Sequence, residues 1–334
     1  MTGGTGFLGS YLLRYLVAQG YTRIRALRQP SSSTDLVEGI ADKIEWVEGN
    51  ILDVVGLEDV LKGVQQVYHC AAIISFDAQE RANMMEVNST GTANIVNAAL
   101  SAKVEKFIHV SSIAAIGRTK ENKIITEENK WLRSSYNSHY AISKYLAEQE
   151  VWRGMAEGLT VGIVNPSLML GAGRWTDGPL RLFNLVWKNY PFYTTGTTGF
   201  VDVRDVARFM IHLMESSITG QRYILNAENN TFQFVMNEIA LHLHKKKPTI
   251  QVRPWMQQII WRVDWLRAKL WGARPLITRE TAANALQFFL YKNDKSLQAF
   301  DFQYTPLEQT IRETCAQFLE TVHSKLPPRG LPLI

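Results

Sequence analysis

At 334 residues and 46% apolar content the chain can bury a large core, enough for one large α/β domain or such a domain with a smaller appendage. Cys70 and Cys315 stand far apart, which excludes a disulfide framework or a cysteine metal site and makes a reducing cytoplasm the expected setting. The net charge of +5 is local, because eight basic residues face only Asp264 between Lys245 and Arg274, a net of +7 that leaves −2 for the rest; no nucleic-acid motif accompanies it and no apolar run is long enough to span a bilayer.

The opening stretch Thr2-Gly3-Gly4-Thr5-Gly6-Phe7-Leu8-Gly9 organises the rest of the chain. One glycine of such a spacing permits a tight turn, one lets backbone approach a pyrophosphate, and one lets helix and sheet pack closely. Phe7, Leu8, Tyr11, Leu12, Tyr15 and Leu16 then predict a helix ending at Gly20, whose N-terminus offers free N–H groups to an anion. The strand that should feed this turn is missing, since only Met1 precedes it. A doubly wound sheet lacking that strand would carry two unpaired inner edges, so the natural chain is expected to begin a few residues upstream with a short apolar strand.

From Thr22 strands and helices alternate. Strands are expected at Arg23–Leu27, Ile44–Val47, Val64–Cys70 and Phe107–Val110, with a short helix around Val60-Leu61 and a long one from roughly Gln79 to Ser101. This order predicts a parallel sheet covered by helices on both faces. Arg28 ends the first of these strands, where an acidic residue would select NAD through the adenine ribose and a basic one accommodates the 2′-phosphate of NADP. Ser31, Ser32 and Ser33 add hydroxyl donors nearby, so NADP is expected, with NAD as the alternative and a solvated loop arginine as the plain one.

Five motifs, Thr2–Gly9, His69-Cys70-Ala71-Ala72, Val87-Asn88-Ser89-Thr90-Gly91-Thr92, Val110-Ser111-Ser112 and Tyr140-Ala141-Ile142-Ser143-Lys144, occur in the order and spacing of the extended short-chain dehydrogenase/reductases, the NAD-dependent epimerase/dehydratase family. Val201-Asp202-Val203-Arg204-Asp205-Val206-Ala207 also resembles that family, and the likeness weakens after Asn226. It implies a Rossmann-type doubly wound sheet over residues 1–165, and a smaller, mainly helical substrate-binding part over 166–334 from which a strand and helix near 200–226 return to the main domain. It also implies that Gly3, Thr5, Gly6, Phe7, Leu8, Arg28, Asn50, Ile51, Ala71, Ala72, Lys144 and Pro166 hold the nucleotide.

Tyr140 and Lys144, four apart, share one helix face. A tyrosine near pKa 10 is a poor catalyst at neutral pH, and a neighbouring ammonium, with the charge of an oxidised nicotinamide, is expected to favour the phenolate. Ser112 matches the family hydroxyl that orients the substrate's reacting oxygen, with Ser111 as the fallback and a strand-end serine tied to backbone as the plain reading. Asn88 resembles a supporting asparagine, His69 is at least as readily a packed histidine as a cofactor neighbour, and His139 has no assigned role. Where the family commonly has Gly-Asp near the adenine, this chain has Gly49-Asn50-Ile51, and the Asn50 amide oxygen can still accept that hydrogen bond.

Ile113, Ala114 and Ala115 stand where family dehydratases carry an Asp-Glu pair, and Asn165 and Leu168 replace polar positions of sugar-nucleotide enzymes, adding apolar surface. With Arg28 these features favour a reductase or dehydrogenase of the dihydroflavonol 4-reductase and 3β-hydroxysteroid dehydrogenase type, acting on a small, largely apolar molecule. The alternatives are an NAD-dependent sugar-nucleotide epimerase and a non-catalytic dinucleotide-binding protein. A homodimer is the expected assembly.

The family's C-terminal third supplies substrate walls. Here Trp255, Met256, Ile259, Ile260, Val263, Leu266 and Leu270 recur at helical spacing, with Trp261, Trp265 and Trp271 widening the stripe and Arg262, Arg267 and Lys269 beside it. Core packing, a subunit interface and peripheral membrane contact through 254–272 are the three readings. A last amphipathic helix is expected over Leu307–His323, before Pro327, Pro328 and Pro332 end regular structure.

Overall fold

The structure, a computed structural model, describes residues 1–271, 280, 285–324 and 329–334, without the side chains of 268–271. Lys269, Leu270, Trp271, Arg274, Pro327 and Pro328, which contribute to the expected basic cluster, apolar stripe and chain breaks, therefore lie outside the described side chains or residues.

Helix α1 (Phe7–Ala18) leads to strands β1 (Arg25–Arg28) and β2 (Glu45–Glu48), helix α2 (Val54–Val60) and strand β3 (Gln66–His69). The predicted long helix is one run with a fault in it: α3 (Arg81–Met85), a π-helical turn at Glu86–Thr90, then α4 (Gly91–Ser101). Strand β4 (Lys106–Val110), the short β5 (Ile124–Ile125), helix α5 (His139–Ala156) and strand β6 (Val161–Pro166) come next. Beyond them lie β7 (Leu168–Leu170), α6 (Arg181–Trp187), β8 (Phe192–Tyr193), β9 (Thr197–Asp202), α7 (Val203–Glu215) and β10 (Gln221–Leu225). The last described elements are β11 (Glu228–Thr231), α8 (Phe232–His242), β12 (Ile250–Gln251), α9 (Pro254–Trp271), β13 (Leu290–Tyr291), a short helix Asp294–Ala299 and the C-terminal helix Leu307–Ser324.

The main sheet is parallel throughout, with β2 beside β1 on one side and β3-β4-β6-β10 on the other. The place between β1 and β3 is held by Thr2, bridged in parallel to Leu27 and to His69. Its N–H donates to Tyr68 O, its carbonyl accepts from Cys70 N, and Met1 O accepts from Leu27 N. Met1 and Thr2 thus pair the two inner edges at the level of the glycine turn.

Strand residues alternate between faces as the pleat demands. Tyr68, Ile108 and Val164 join the cluster under α1 and α7, whereas Val67, Phe107 and Ile163 join the cluster under α2, α4 and α5. Both faces are covered, which is why these strands read as nearly continuous apolar runs. Strand β10 pairs with β6 in this sheet, and helix α7 packs against β4 and β6.

The Val201–Ala207 motif clamps the C-terminus. Asp202 caps α7 by accepting from Arg204 N, and the fully buried Arg204 pairs with Asp202 at 2.7 Å and Glu313 at 2.7 Å while Thr310 Oγ1 donates to Asp202. Phe318 of the last helix packs on Trp175, Phe183 and Trp187. On α9, whose stripe left three readings open, Trp255, Ile259, Val263 and Leu266 are exposed while Met256, Ile260 and Trp261 are half-buried.

Candidate active site

The ends of β3, β4 and β6, with the glycine turn, form the crevice where α/β sheets bind ligands. Gly3 adopts φ +70°, and a Cβ there would lie 2.6 Å from Ala71 N; at Gly9 one would lie 2.1 Å from Gly3 O. Any side chain at these two positions would break the turn. Gly6 is the N-cap of α1 and supplies no capping side chain, which leaves the first-turn amides for an anion. The residues present therefore fit a dinucleotide pyrophosphate.

Of the residues expected around it, Gly3, Thr5, Gly6 and Phe7 are half-buried on the turn, while Leu8 and Ile51 bury their side chains in the two core clusters and Pro166 is buried at the end of β6. These last three can offer a nucleotide only their backbone. Ala71 N donates to Thr2 Oγ1 at 3.2 Å, and Ala72 is exposed beside it.

A buried chain of hydrogen bonds runs from the turn to the helix of Tyr140. Thr2 Oγ1 bonds His69 Nδ1 at 2.7 Å, His69 Nε2 bonds Thr92 Oγ1 at 3.0 Å, and Thr92 Oγ1 donates to Asn88 O at 2.6 Å. Since Thr92 spends its proton on Asn88 O, His69 donates from Nε2 and accepts at Nδ1. Asn88 Oδ1 accepts from Ile73 N, and Asn88 Nδ2 donates to Ile73 O and Ser143 Oγ; Ser143 Oγ donates in turn to Tyr140 O at 2.8 Å. His69 is a packed, neutral histidine, pulled down to about 3 by burial and by Lys144. His109 stacks on it at 5.3 Å, with neither ring nitrogen hydrogen-bonded.

Tyr140 is half-buried, with Phe76 edge-on at 5.9 Å. Burial pushes its phenol up to about 12, and the nearby Ser112 hydroxyl pulls the other way. Burial and Ser112, not Lys144, are the causes that act on this phenol from the protein itself. Lys144 Nζ is buried and donates to Val110 O at 2.7 Å, and burial brings it down to about 8 against the pull of Glu148. Ser112, which caps the turn Ile113–Ile116 through Ala114 N, is the serine whose hydroxyl acts on the Tyr140 phenol; Ser111 is buried with its hydroxyl unpartnered.

Asn165 does not line a substrate surface. It is fully buried, its Nδ2 donating to Ser112 O at 2.9 Å and to Glu148 Oε1, while Arg222 approaches Glu148 Oε2 at 3.4 Å. This amide ties the end of β4 to α5. His139, left without a role, lies 3.6 Å from Glu280.

At the adenine end Gln29, Pro30, Ser31, Glu48, Gly49, Asn50 and Asp53 line one surface pocket. Arg28 beside it donates to Glu48 Oε1 at 2.8 Å, and Asn50 Oδ1 already accepts from Leu52 N at 3.0 Å. Sequence reasoning missed Glu48, although strand register offers the signal, since Arg28 and Glu48 are direct neighbours across β1 and β2. Arg174, also missed, pairs with Asp35 and donates to Thr5 O at 3.4 Å and Ser33 O at 3.2 Å, strapping the serine loop to the glycine turn.

Comparison with known proteins agrees with this geometry. The NAD dependent epimerase/dehydratase family matches residues 1–226. A putative dihydroflavonol 4-reductase of Synechocystis sp. is 30% identical over 329 residues, 95% of this chain and 93% of the relative. Cinnamoyl-CoA reductase 1 of Petunia hybrida is 24% identical over 98% of this chain and 93% of its own length. The fold matches DesIV, a dTDP-glucose 4,6-dehydratase of Streptomyces venezuelae solved with NAD, at a TM-score of 0.78 and 17% identity over 97% of each chain. Glycine turn, sheet and ordered motifs together make the chain a member of the NAD dependent epimerase/dehydratase family, an NAD(P)-dependent enzyme of the extended short-chain dehydrogenase/reductase type.

Proposed function

We propose that the protein is an NADP(H)-dependent oxidoreductase that reduces a ketone, or oxidises a secondary alcohol, on a largely apolar small molecule. The observation that carries this reading is the meeting of Ser112, just past the end of β4, with Tyr140 and Lys144 one turn apart on α5, Lys144 Nζ being held by Val110 O at 2.7 Å, at the sheet end where Gly3 packs on the backbone of Cys70 and Ala71. The bound nicotinamide would supply or accept the hydride. Ser112 donates a hydrogen bond that orients the reacting oxygen, and Tyr140 moves the proton at that oxygen. A phenol held near 12 keeps its proton at neutral pH, which suits an acid that protonates an oxygen as a carbonyl is reduced. Lys144 lies one helical turn on, where it can hold the ribose hydroxyls. The absence of acids at Ile113, Ala114 and Ala115 favours hydride transfer over dehydration.

Residues 1–165 hold the nucleotide and 166–334 mainly the substrate in this reading, within a cytoplasmic homodimer. Reductases among the relatives support the reaction class, and Arg28 beside the adenine pocket supports NADP. The hold of Glu48 on Arg28 is the observation that favours NAD and the epimerase alternative. Releasing and identifying the bound nucleotide, then following NADPH oxidation with ketones, aldehydes and sugar nucleotides, tests the proposal. Turnover of an apolar ketone with exchangeable NADPH is expected. Tight, non-exchanging NAD with sugar-nucleotide epimerisation would overturn it.

A further inference from the structure

A helix packed on a core turns its apolar stripe inward. Helix α9 keeps Met256, Ile260 and Trp261 half-buried and leaves a second apolar stripe in solvent. Trp255 is 62% exposed, Ile259 54%, Val263 61% and Leu266 50%. At ~100° per residue these four fall within one arc of about 80°. Arg262, also exposed, borders that arc with its guanidinium over the Trp261 ring. On the covered side stand the half-buried Met256, Ile260 and Gln257 and the ion pair of Asp264 with Arg267 at 2.8 Å. The helix therefore presents large apolar side chains to solvent and keeps its only acid on the inner face.

The charge around it is of one sign. Among described side chains from Lys245 to Arg267, six are basic and Asp264 alone is acidic. Lys246, Lys247, Arg253 and Arg262 are exposed, and Lys245 lies over the Trp187 ring. No described helix is long and apolar enough to cross a membrane. An exposed stripe of Trp, Ile, Val and Leu bordered by arginine suits the boundary between headgroups and acyl chains, where apolar groups bury and cationic heads meet anionic lipid.

We propose that the outer face of α9 docks the protein on an anionic bilayer surface, the helix lying in the plane of the interface. Its basis is the orientation of the helix, so it stands or falls separately from the redox reading. The intact chain is sedimented with vesicles of phosphatidylcholine alone and with about one third phosphatidylglycerol, at low and high salt. Binding to the anionic vesicles at least about tenfold stronger than to neutral ones, and release by salt, is the expected result. Ile259→Glu with Leu266→Glu abolishes binding, and Arg262→Glu weakens it about tenfold, while circular-dichroism melting reports that each variant is folded. The wild-type comparison stands even if a variant fails to fold. No binding to anionic vesicles at low salt overturns the proposal, and so does equal binding to both compositions. A concentration-dependent dimer broken by Leu266→Glu, with vesicles unbound, would assign the face to a second copy of the chain instead.

Discussion

The two ends of the nucleotide groove are built on opposite principles. At the reaction end Thr2, His69, Thr92, Asn88 and Ser143 form an unbroken, water-excluding chain of hydrogen bonds that ends on the backbone of Tyr140. At the proposed adenine end stands Arg28 with Glu48, an ion pair whose members keep 27% and 55% side-chain exposure. Buried, fully satisfied networks specify one geometry, whereas an exposed pair contributes little stability and can exchange partners. In the proposed reading the reaction end is held rigidly, while the choice of nucleotide stays adjustable.

Substitutions at either end test the contrast. The largest effect is expected from Tyr140→Phe, which removes the proton donor and lowers kcat/KM by roughly 10³-fold with nucleotide affinity little changed, measured by stopped-flow turnover and fluorescence titration. Unchanged turnover would end the catalytic reading. Arg28→Asp should lower the ratio of kcat/KM for NADPH over NADH by about 10- to 100-fold, and Glu48→Gln, which frees Arg28, should raise it several-fold. A wild-type preference for NADH would reverse the assignment. Asn88→Ala strips three hydrogen bonds from the buried chain; it should cost about 1–3 kcal/mol in urea melts and lower kcat about tenfold with KM nearly constant, since it repositions Tyr140 without touching substrate.

The smallest effect concerns pH. Burial holds His69 and His109 below the ordinary histidine value, so the folded protein keeps them neutral while the unfolded chain takes up protons near pH 6.5. Their stability contribution is present above that pH and is lost as the pH falls through it, by about 1 kcal/mol per histidine between pH 6.5 and 5.5. His109→Leu should halve this slope in thermal melts. Asp205, pushed up to about 6 by burial, works in the opposite sense and is untouched by the substitution, so the difference between the two proteins isolates His109.

Features legible in the sequence are those whose determinants lie close together in the chain. The turn at Gly3–Gly9, the alternation of strands and helices, and the helix carrying Tyr140 and Lys144 four apart come from short motifs whose geometry is local. Three features are not legible in this way. The phenol of Tyr140 goes up rather than down because its pKa is set by how much water the fold removes, and spacing to Lys144 says nothing of that. Asn165 reads as a surface residue because a strand end gives no sign of which face meets Glu148. Periodicity in α9 announces a stripe, but the side that is covered depends on neighbours far away in sequence.

The π-helical turn at Glu86–Thr90 has an effect on everything downstream. Adding one residue to a helix advances its phase by ~100°. A wheel drawn straight through Arg81–Ser101 would therefore misplace Asn88 or Gly91, whose tasks differ: one grips Ile73 and Ser143, and the other gives room to Ile51. Excising a single residue there would leave a smoother rod of ordinary pitch, and with it a protein that folds around a misaligned tyrosine.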